Sequence, residues 1–389
     1  MKFEFDKLPS ADGDVIQHHS RSFSLAARLL PRTIRSDVEK LYAWCRWCDD
    51  AVDEASSHKE ASERLELLRQ DVHRIYRGDA ILHPASRWLA IVVVKYKIPK
   101  QLPLDLLGGM EADLNNPVLQ TVDELLHYCY QAAGTVGLMM SQIMGATHPQ
   151  ALRRAKSLGM AMQLTNIARD INEDWQSGRR YIPKIWLSLI PKKDMTPTNS
   201  QVRQAVENLL SLADGLYDEG YVGLKYLPNG ARTAIRLAGR VYQEIGNEIR
   251  RQNFCVMQSR VFVPFAEKMK LMARCSADEV AFRMNQSLND LLQTKSSELQ
   301  LKPGFSNRIS TMNDETRYLG YLGISLTFVM ATTLFFLMGL NPKETVYSSL
   351  PWIYSGACAA IAATTGLTAR RVNRKLQLQP VIQNQPDNR

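Results

Sequence analysis

The sequence lacks the features of several common protein classes. Its six cysteines have no framework spacing: Cys45, Cys48, Cys129, Cys255, Cys275 and Cys358. This scatter is typical of a protein from a reducing compartment. Cys45 and Cys48 form a Cys-x-x-Cys, but no second pair and no thioredoxin-like strand accompany it, so we interpret both as packing residues. The first residues mix both charge signs without a long apolar run, so we expect no secretory signal.

Strand patterning is also missing from this chain of 389 residues. No segment alternates apolar and polar residues between turn signals at strand spacing. Apolar residues instead recur every three to four positions, in segments that end at Pro or Gly, which predicts an all-α protein. The composition, 45% hydrophobic and 22% charged, is that of a globular protein with one large domain or two smaller ones.

The charge is basic, with a formal net charge of +9. No Lys/Arg-rich block with interleaved aromatic residues is present, and no nucleic-acid-binding motif is found. We therefore expect no nucleic-acid partner. An anionic membrane surface or a polyanionic substrate remains as the explanation of the charge.

The segment 163–183 carries the strongest chemical signal in the chain. Four polar side chains share one helix face, within roughly 80° of arc: Gln163, Asn166, Asp170 and Asp174. Carboxylates one turn apart repel each other unless a cation lies between them, and oxygen ligands suit a hard divalent ion such as Mg²⁺. Arg179 and Arg180 follow the helix, and guanidinium groups beside such a site indicate a phosphate-rich ligand.

A second acidic helix face repeats this arrangement. Its members are spaced by four, seven and eleven positions: Tyr42, Arg46, Asp49 and Asp53. Each face alone could be a solvated helix surface. Apolar neighbours such as Trp44 and Ile167 favour two buried faces that together hold metal. On another helical segment, Glu111 and Asp113 either add negative charge to the site or lie on the surface.

Several spaced motifs resemble those of the squalene and phytoene synthase family. They are Ser20-Arg-Ser-Phe23, Tyr42-Ala-Trp-Cys-Arg46-x-x-Asp-Asp-x-x-Asp53, Tyr128-Cys-Tyr-x-x-Ala-Gly-Thr-Val-Gly137, Gln163-Leu-Thr-Asn-x-x-Arg-Asp-x-x-x-Asp174 and Gly178-Arg-x-Tyr-x-Pro183. Their order and spacing match the family from about residue 15 to about residue 275. Within the family, the motifs are most similar to those of bacterial phytoene synthases.

The resemblance implies a fold and a reaction. The fold would be a single large helical bundle of the isoprenoid-synthase type with a central cavity. The reaction would be the Mg²⁺-dependent head-to-head condensation of two geranylgeranyl diphosphates to phytoene through a cyclopropylcarbinyl (prephytoene) diphosphate, the first step of carotenoid synthesis. Mn²⁺ is an alternative metal, and no NADPH is expected. The alternative reaction is formation of squalene, dehydrosqualene or hydroxysqualene from two farnesyl diphosphates.

The resemblance also assigns site residues. The catalytic residues would be Tyr42, Arg46, Asp49, Asp53, Asp170 and Asp174, and the metal ligands Asp49, Asp53, Asn166, Asp170 and Asp174. The substrate-binding residues would be His19, Ser20, Arg21, Ser22, Phe23, Tyr42, Arg46, Tyr128, Gln163, Arg169, Arg179, Arg180, Tyr242 and Arg260. From its own residues, segment 19–23 could equally be a helix cap. Arg169 lies roughly 100° or more around the helix from the two aspartates, so its role depends on the resemblance.

Two features concern the prenyl channel. Gly134 and Gly137 weaken a helical pattern, which indicates either close helix packing or a bend beside a ligand. In the family, this bent helix lines the channel. We expect chain-length selectivity to depend on the depth of a channel lined by residues such as Leu138, Met139, Met160 and Leu164.

The remaining chain predicts a membrane attachment. We divide the sequence into a leader (1–14), the helical domain (15–294), a linker (295–316), a transmembrane hairpin (317–371) and a polar tail (372–389). Residues 318–340 carry no charge over 23 positions, and a weaker uncharged run covers 345–369. Basic residues flank both ends, which predicts anchoring at the cytoplasmic face. Membrane lipid and other carotenoid enzymes would then be partners. Two buried core helices are the alternative.

Removal of the hairpin tests this expectation. A chain truncated after Ser310 should leave the membrane fraction for the supernatant, because the uncharged runs supply the predicted apolar anchor. Fractionation of cells that express either the whole or the truncated chain measures this. If the truncated chain sediments with membranes as fully as the whole chain, the hairpin assignment is wrong.

Overall fold

The computed structural model describes residues 25–187, 199–256 and 260–298. The helices are α1 Arg32–Asp53, α2 His58–Arg77, α3 Ser86–Tyr96, α4 Gln101–Leu114, α5 Val122–Cys129, α6 Thr135–Ile143, α7 Pro149–Ser177, α8 Asn199–Val222, α9 Asn229–Arg251 and α10 Phe265–Glu298. A π-helix covers Tyr130–Gly134, and 3₁₀ turns cover Lys184–Trp186 and Gly223–Tyr226. Within these described ranges only an isolated bridge, Val118 to Arg180, departs from helix and loop, so the all-α prediction is confirmed.

The chain divides into two compact units after Cys275. The first contains α1 to α9 and the candidate site. In the second, α10 continues to Glu298, so residues 295–298 of the predicted linker are helical. A bilayer-spanning helix, judged by length and hydropathy, is not found among the described residues. The predicted leader, hairpin and tail, and residues 19–23, lie outside the described residues.

Local sequence signals define the ends of α7, the 29-residue helix that carries the second acidic face. Pro149 occupies its first turn, where a missing N–H costs no hydrogen bond. The ring Nδ1 of His148 accepts a hydrogen bond from the Gln150 N–H at 3.1 Å. At the other end, Gly178 adopts φ +91°, a left-handed conformation that favours glycine. These caps place the acidic residues in the last three turns of a single unbroken helix.

Two large hydrophobic clusters stabilise the first unit. One joins α1 to α4 with α6 around Trp44 and Leu41, which are fully buried. The other surrounds α7, α8 and α9, with Leu164 at its centre. Within it the hydroxyls of Thr165 and Tyr217 lie 3.0 Å apart, so a buried polar pair is satisfied between α7 and α8. Helix α7 thus packs against α5, α6, α8 and α9.

Helices α6 and α7 approach each other very closely. A Cβ at Gly137 would lie 2.4 Å from the carbonyl oxygen of Ala155, and a Cβ at Gly159 would lie 2.4 Å from that of Ala133. No side chain fits such a gap. Gly137 therefore permits backbone contact between α6 and α7, and Gly159 permits backbone contact between α7 and the π-helix. The packing explanation for the glycines is therefore confirmed at Gly137, which also lines the cavity described below.

Two glycine substitutions test this packing. Gly137→Ala should destabilise the fold by about 1–3 kcal/mol, because its Cβ would force the two backbones apart. Gly215→Ala is the matched control, since that glycine lies within α8 with no neighbouring atom within 4 Å of an added Cβ. It should stabilise the protein by about 0.5–1 kcal/mol through helix propensity. Urea denaturation measures both. Equal effects of the two substitutions would contradict the close contact.

Candidate active site

A cavity of about 320 Å³ lies between α1, α4, α6, α7 and α9. Its polar lining residues are mainly Tyr42, Arg46, Asp49, Asp113, Tyr128, Gln163, Asn166 and Tyr242. Most other lining residues are apolar or small, and they come from the π-helix, α6, the first half of α7 and the Gly223–Tyr226 turn. The predicted central cavity is therefore present, and a polar end continues into an apolar channel.

Helix α1 supplies the first acidic face. Arg46 lies one turn before the aspartates, and its Nη1 donates to Oδ2 of Asp49 at 2.8 Å, while its other Nη contacts Asp50. Tyr42 and Asp49 also face the cavity. Asp53 lies at the C-terminal end of α1, where its Oδ1 accepts from Nη2 of Arg179 at 2.5 Å. This last ion pair links α1 directly to the segment that follows α7.

Helix α7 supplies the second acidic face. Arg169 Nε donates to Oδ1 of Asp170 at 2.7 Å, so its long side chain reaches the acidic face although its Cα position does not. Arg260 also contacts Asp170, with Nε 3.2 Å from Oδ1. Asn166 and Gln163 line the cavity one and two turns before Asp170, respectively. The structure thus brings Arg169 and Arg260 together on one carboxylate.

The two arginines after α7 have different surroundings. Arg179 contacts Asp53, as described above, whereas the guanidinium of Arg180 lies 3.7 Å from the centre of the Trp175 ring. Arg180 Nη1 also donates to the carbonyl oxygen of Trp175 at 3.0 Å. The structure therefore places Arg180 against the C-terminal turn of α7 and not against a carboxylate of the acidic faces. Its role in substrate binding remains a prediction.

Asp113 of α4 lies near both acidic faces, since its charge acts on Asp49 of one and on Asp174 of the other. Its Oδ1 accepts from the Tyr181 hydroxyl at 2.5 Å and its Oδ2 from the Tyr128 hydroxyl at 3.1 Å. The two tyrosine rings stack with centres 4.7 Å apart. Glu111, in contrast, is exposed and pairs with Arg69 at 2.7 Å. Of the two acidic residues noted on this segment, Asp113 belongs to the site and Glu111 to the surface.

Desolvation, with a contribution from neighbouring carboxylates, raises the pKa values of three carboxylates at this site. Burial raises the pKa of Asp49 to about 7; Arg46 opposes this, and Asp53 and Asp113 add to it. Burial likewise raises the pKa of Asp174 to about 7, with a further contribution from Asp170. The pKa of Asp113 rises to about 6, again mainly through burial. The nearby arginines therefore do not fully balance the negative charge of the carboxylates near the polar end of the cavity.

The donor set fits a hard divalent cation. The side-chain oxygen of Asn166 is buried and has no hydrogen-bond partner among the described residues, although its Nδ2 donates to Gln163. Buried polar atoms are rarely left unpaired without a functional reason. In the described part of the chain, no three carboxylate, His or Cys side chains stand close enough to form a ready-made metal cage. Arginines form ion pairs with Asp53 and Asp170 instead. These two carboxylates would therefore have to release Arg179 and Arg169 before they could ligate a metal.

The channel residues differ from those predicted. Leu138, Met139, Met160 and Leu164 are not among the lining residues, and Met139 and Leu164 are fully buried in the two hydrophobic clusters. The lining residues of α6 are Val136, Gly137, Met140 and Ser141, on the other face of the helix. Apolar side chains lie on both faces of α6, so the sequence pattern alone does not show which face meets the cavity.

Comparison with known proteins identifies the family. The family model for squalene/phytoene synthase matches residues 16–267. The phytoene synthase of Rhodobacter capsulatus is 34% identical over 70% of this chain and 81% of its own length. The 15-cis-phytoene synthase of a Paracoccus species is 36% identical over 67% of this chain and 88% of its own length. The chain belongs to the squalene/phytoene synthase family. It is accordingly an enzyme of the prenyltransferase class.

Solved structures agree with this family assignment. A dehydrosqualene synthase in complex with a ligand superposes with a TM-score of 0.62 at 28% identity, over 68% of this chain and 94% of that one. A squalene synthase from Alicyclobacillus acidocaldarius gives a TM-score of 0.55 at 25% identity, over 64% of this chain and 98% of that one. The helical fold is therefore that of squalene-synthase-like enzymes.

Asp113 provides a test of the site within this family. Asp113→Asn should lower turnover at least tenfold, because it removes a charge shared by both acidic faces while keeping an acceptor for Tyr128 or Tyr181. Glu111→Gln is the matched control on the same helix and should leave turnover within about twofold. Pyrophosphate release from prenyl diphosphate measures both. Equal activities of the two variants would exclude Asp113 from the site.

Proposed function

We propose that the enzyme condenses two geranylgeranyl diphosphates head to head into phytoene. Two pyrophosphates and two protons are released. The first pyrophosphate and proton leave as the cyclopropylcarbinyl (prephytoene) diphosphate forms, and the second pair leaves as that intermediate is converted to phytoene. The observation that carries the proposal is the continuity of the cavity, which runs from an end lined by Arg46, Asp49 and Asp113 into an apolar channel. Bacterial relatives named as phytoene synthases support the choice of product.

The polar end would bind the diphosphate groups. Mg²⁺ held by Asp49, Asp53, Asn166, Asp170 and Asp174 would neutralise the leaving diphosphate, with Mn²⁺ as the alternative. Arg46, Arg169, Arg179 and Arg260 already contact those carboxylates, so each can transfer hydrogen bonds to phosphate oxygens as metal replaces it. The carboxylate and guanidinium groups therefore exchange partners within one network.

The apolar channel would protect the carbocation. Tyr42, Tyr128 and Tyr242 line the cavity beside the polar end, where their ring faces can stabilise positive charge. Buried aliphatic side chains such as Met140 and Leu158 form the walls further in and exclude water from the prenyl chains. Deprotonation of the final cation needs no reductant, so we propose no NADPH for this product.

The alternative is squalene, dehydrosqualene or hydroxysqualene formation from two farnesyl diphosphates. The structural similarity to a dehydrosqualene synthase and to a squalene synthase favours keeping it. Squalene formation would require NADPH, and the sequence contains no Gly-x-Gly-x-x-Gly after a strand. An all-α fold could bind that cofactor in another way, so the product itself must decide.

We further propose that the enzyme works at the cytoplasmic face of a membrane, held by residues 317–371. The proposal is supported by the two uncharged runs in that segment. A bilayer beside the enzyme would receive the apolar product, and other carotenoid enzymes could meet it there.

A product assay tests the proposed reaction. The whole chain in detergent is given Mg²⁺, no NADPH, and either the twenty-carbon or the fifteen-carbon diphosphate, and the hexane extract is analysed by mass spectrometry. A forty-carbon hydrocarbon from the longer substrate is the expected result. A thirty-carbon product from the shorter substrate alone would assign the enzyme to the squalene branch.

Asp170→Asn tests the role of the acidic faces in the same assay. It should abolish turnover, because Asp170 joins Arg169 and Arg260 and is a proposed metal ligand. The helical circular-dichroism signal should remain. Asp214→Asn is the matched control. Asp214 lies on α8, away from the acidic faces, and its Oδ2 is 2.5 Å from Nη2 of Arg250 in an ion pair. Retained activity in Asp170→Asn would contradict the mechanism.

A further inference from the structure

The cavity follows one face of α7 along half of that helix. Its lining residues recur every three or four positions from Asn166 back to Ala151 and include Ala155 and Gly159. These two ends are fifteen positions apart, which corresponds to about 22 Å along a continuous helix. The rise along the axis of α7 therefore measures the length of the cavity from its polar end.

The adjacent wall has the same extent. It runs from Tyr128, through the π-helix, to Met144 at the end of α6. Tyr128 contacts Asp113 at the polar end, and Gly137 meets Ala155 part-way along. The two adjacent walls are thus antiparallel, which places Met144 and Ala151 at the same far end of the cavity.

The far end is closed by buried side chains. Ala151 is 4% exposed, Met144 3%, Leu224 5% and Leu227 9%. All four line the cavity and belong to one hydrophobic cluster. A prenyl chain that reaches this end cannot continue into solvent, so these residues limit its length.

We propose that Ala151, with Met144 and Leu227, forms the floor of the prenyl channel and sets its limit at a twenty-carbon chain. At about 5 Å per isoprene unit, from ordinary carbon–carbon bond lengths, a twenty-carbon chain extends about 20 Å and a fifteen-carbon chain about 15 Å. Only the longer chain fills the 22 Å between Asn166 and the floor. The inference rests on the proposed function, because it requires the diphosphate to bind near Asn166.

The effect of a larger side chain on binding of the two prenyl chains should then depend on its position along α7. A larger side chain at Ala151 would shorten the channel near its end, where only the longer chain reaches. Ala155 lies eleven positions from Asn166, about 16 Å along the helix, so a larger side chain there meets both chains. Ala151 is therefore the position at which substitution should discriminate between the two substrates.

The experiment measures binding of the non-ionisable S-thiolo analogues of geranylgeranyl and farnesyl diphosphate to the whole chain by calorimetry in Mg²⁺. Ala151→Leu should lower the preference for the longer analogue at least tenfold relative to the wild type. Ala151→Val should give a smaller shift in the same direction. Ala155→Leu should weaken both analogues.

Ala146→Leu is the matched control. Ala146 is 7% exposed and belongs to the same cluster, but it does not line the cavity. It should leave the ratio of the two affinities within twofold, and circular dichroism confirms the fold of each variant.

Three results would overturn the floor assignment: an unchanged ratio in Ala151→Leu and Ala151→Val, an equal shift in Ala146→Leu, or a wild type that prefers the shorter analogue. Failure of the proposed reaction is seen separately. In that case the wild type forms no hydrocarbon from either substrate, while the order of analogue affinities still reports the length of the channel.

Discussion

Repulsion among clustered carboxylates, of which Asp113 is buried and Asp49 and Asp174 are half-buried, is the constraint on which the candidate site depends. Asp49 on α1, Asp113 on α4 and Asp174 on α7 come from three helices, and burial with mutual repulsion raises their pKa values to about 6 to 7. Such an arrangement costs folding free energy, which the hydrophobic clusters must offset. A site of this kind is explained if a divalent cation and a polyanionic substrate bind it during function.

Helix α7 meets the structural and the chemical requirements together. One face packs Leu164 and Ala161 into the core, and another presents Gln163 and Asn166 to the cavity, with Asp170 one turn further along the helix. Because the helix is unbroken, the same face continues as the channel wall to Ala151. The close glycine contact holds the adjacent wall, α6, directly against α7. Metal ligation and chain-length selection would therefore share one rigid element.

The sequence predicted the parts of the site that lie on single helices. The spacings in Tyr42 to Asp53 and in Gln163 to Asp174 follow helical geometry, so each face could be derived without the fold. Asp113 could not be placed in this way, because its approach to both faces depends on how α4 packs against α1, α6 and the π-helix. Its spacing from Glu111 carries no signal that separates a buried carboxylate from an exposed one.

Other differences have equally local causes. Arg169 reaches Asp170 because a long, flexible side chain can bend back along the helix, which the angle of its Cα does not show. The channel residues were misplaced because apolar side chains occupy more than one face of α6 and of α7, so their pattern does not show which face meets the cavity. Arg180 follows Arg179 directly, yet it stacks on Trp175, since adjacent residues point in different directions.

The most direct test of this account is the thermal stability of the metal-free protein as a function of pH. Between the ordinary aspartate pKa and the raised values near 7, the folded state holds protons that the unfolded chain releases, so these groups lower stability as pH rises. The melting temperature of the metal-free protein should fall from pH 5 to pH 8. Mg²⁺ should raise the melting temperature again at pH 8 but not at pH 5. Asp49→Asn should reduce both effects. A melting temperature that is independent of pH, or equal Mg²⁺ stabilisation at both pH values, would contradict this account.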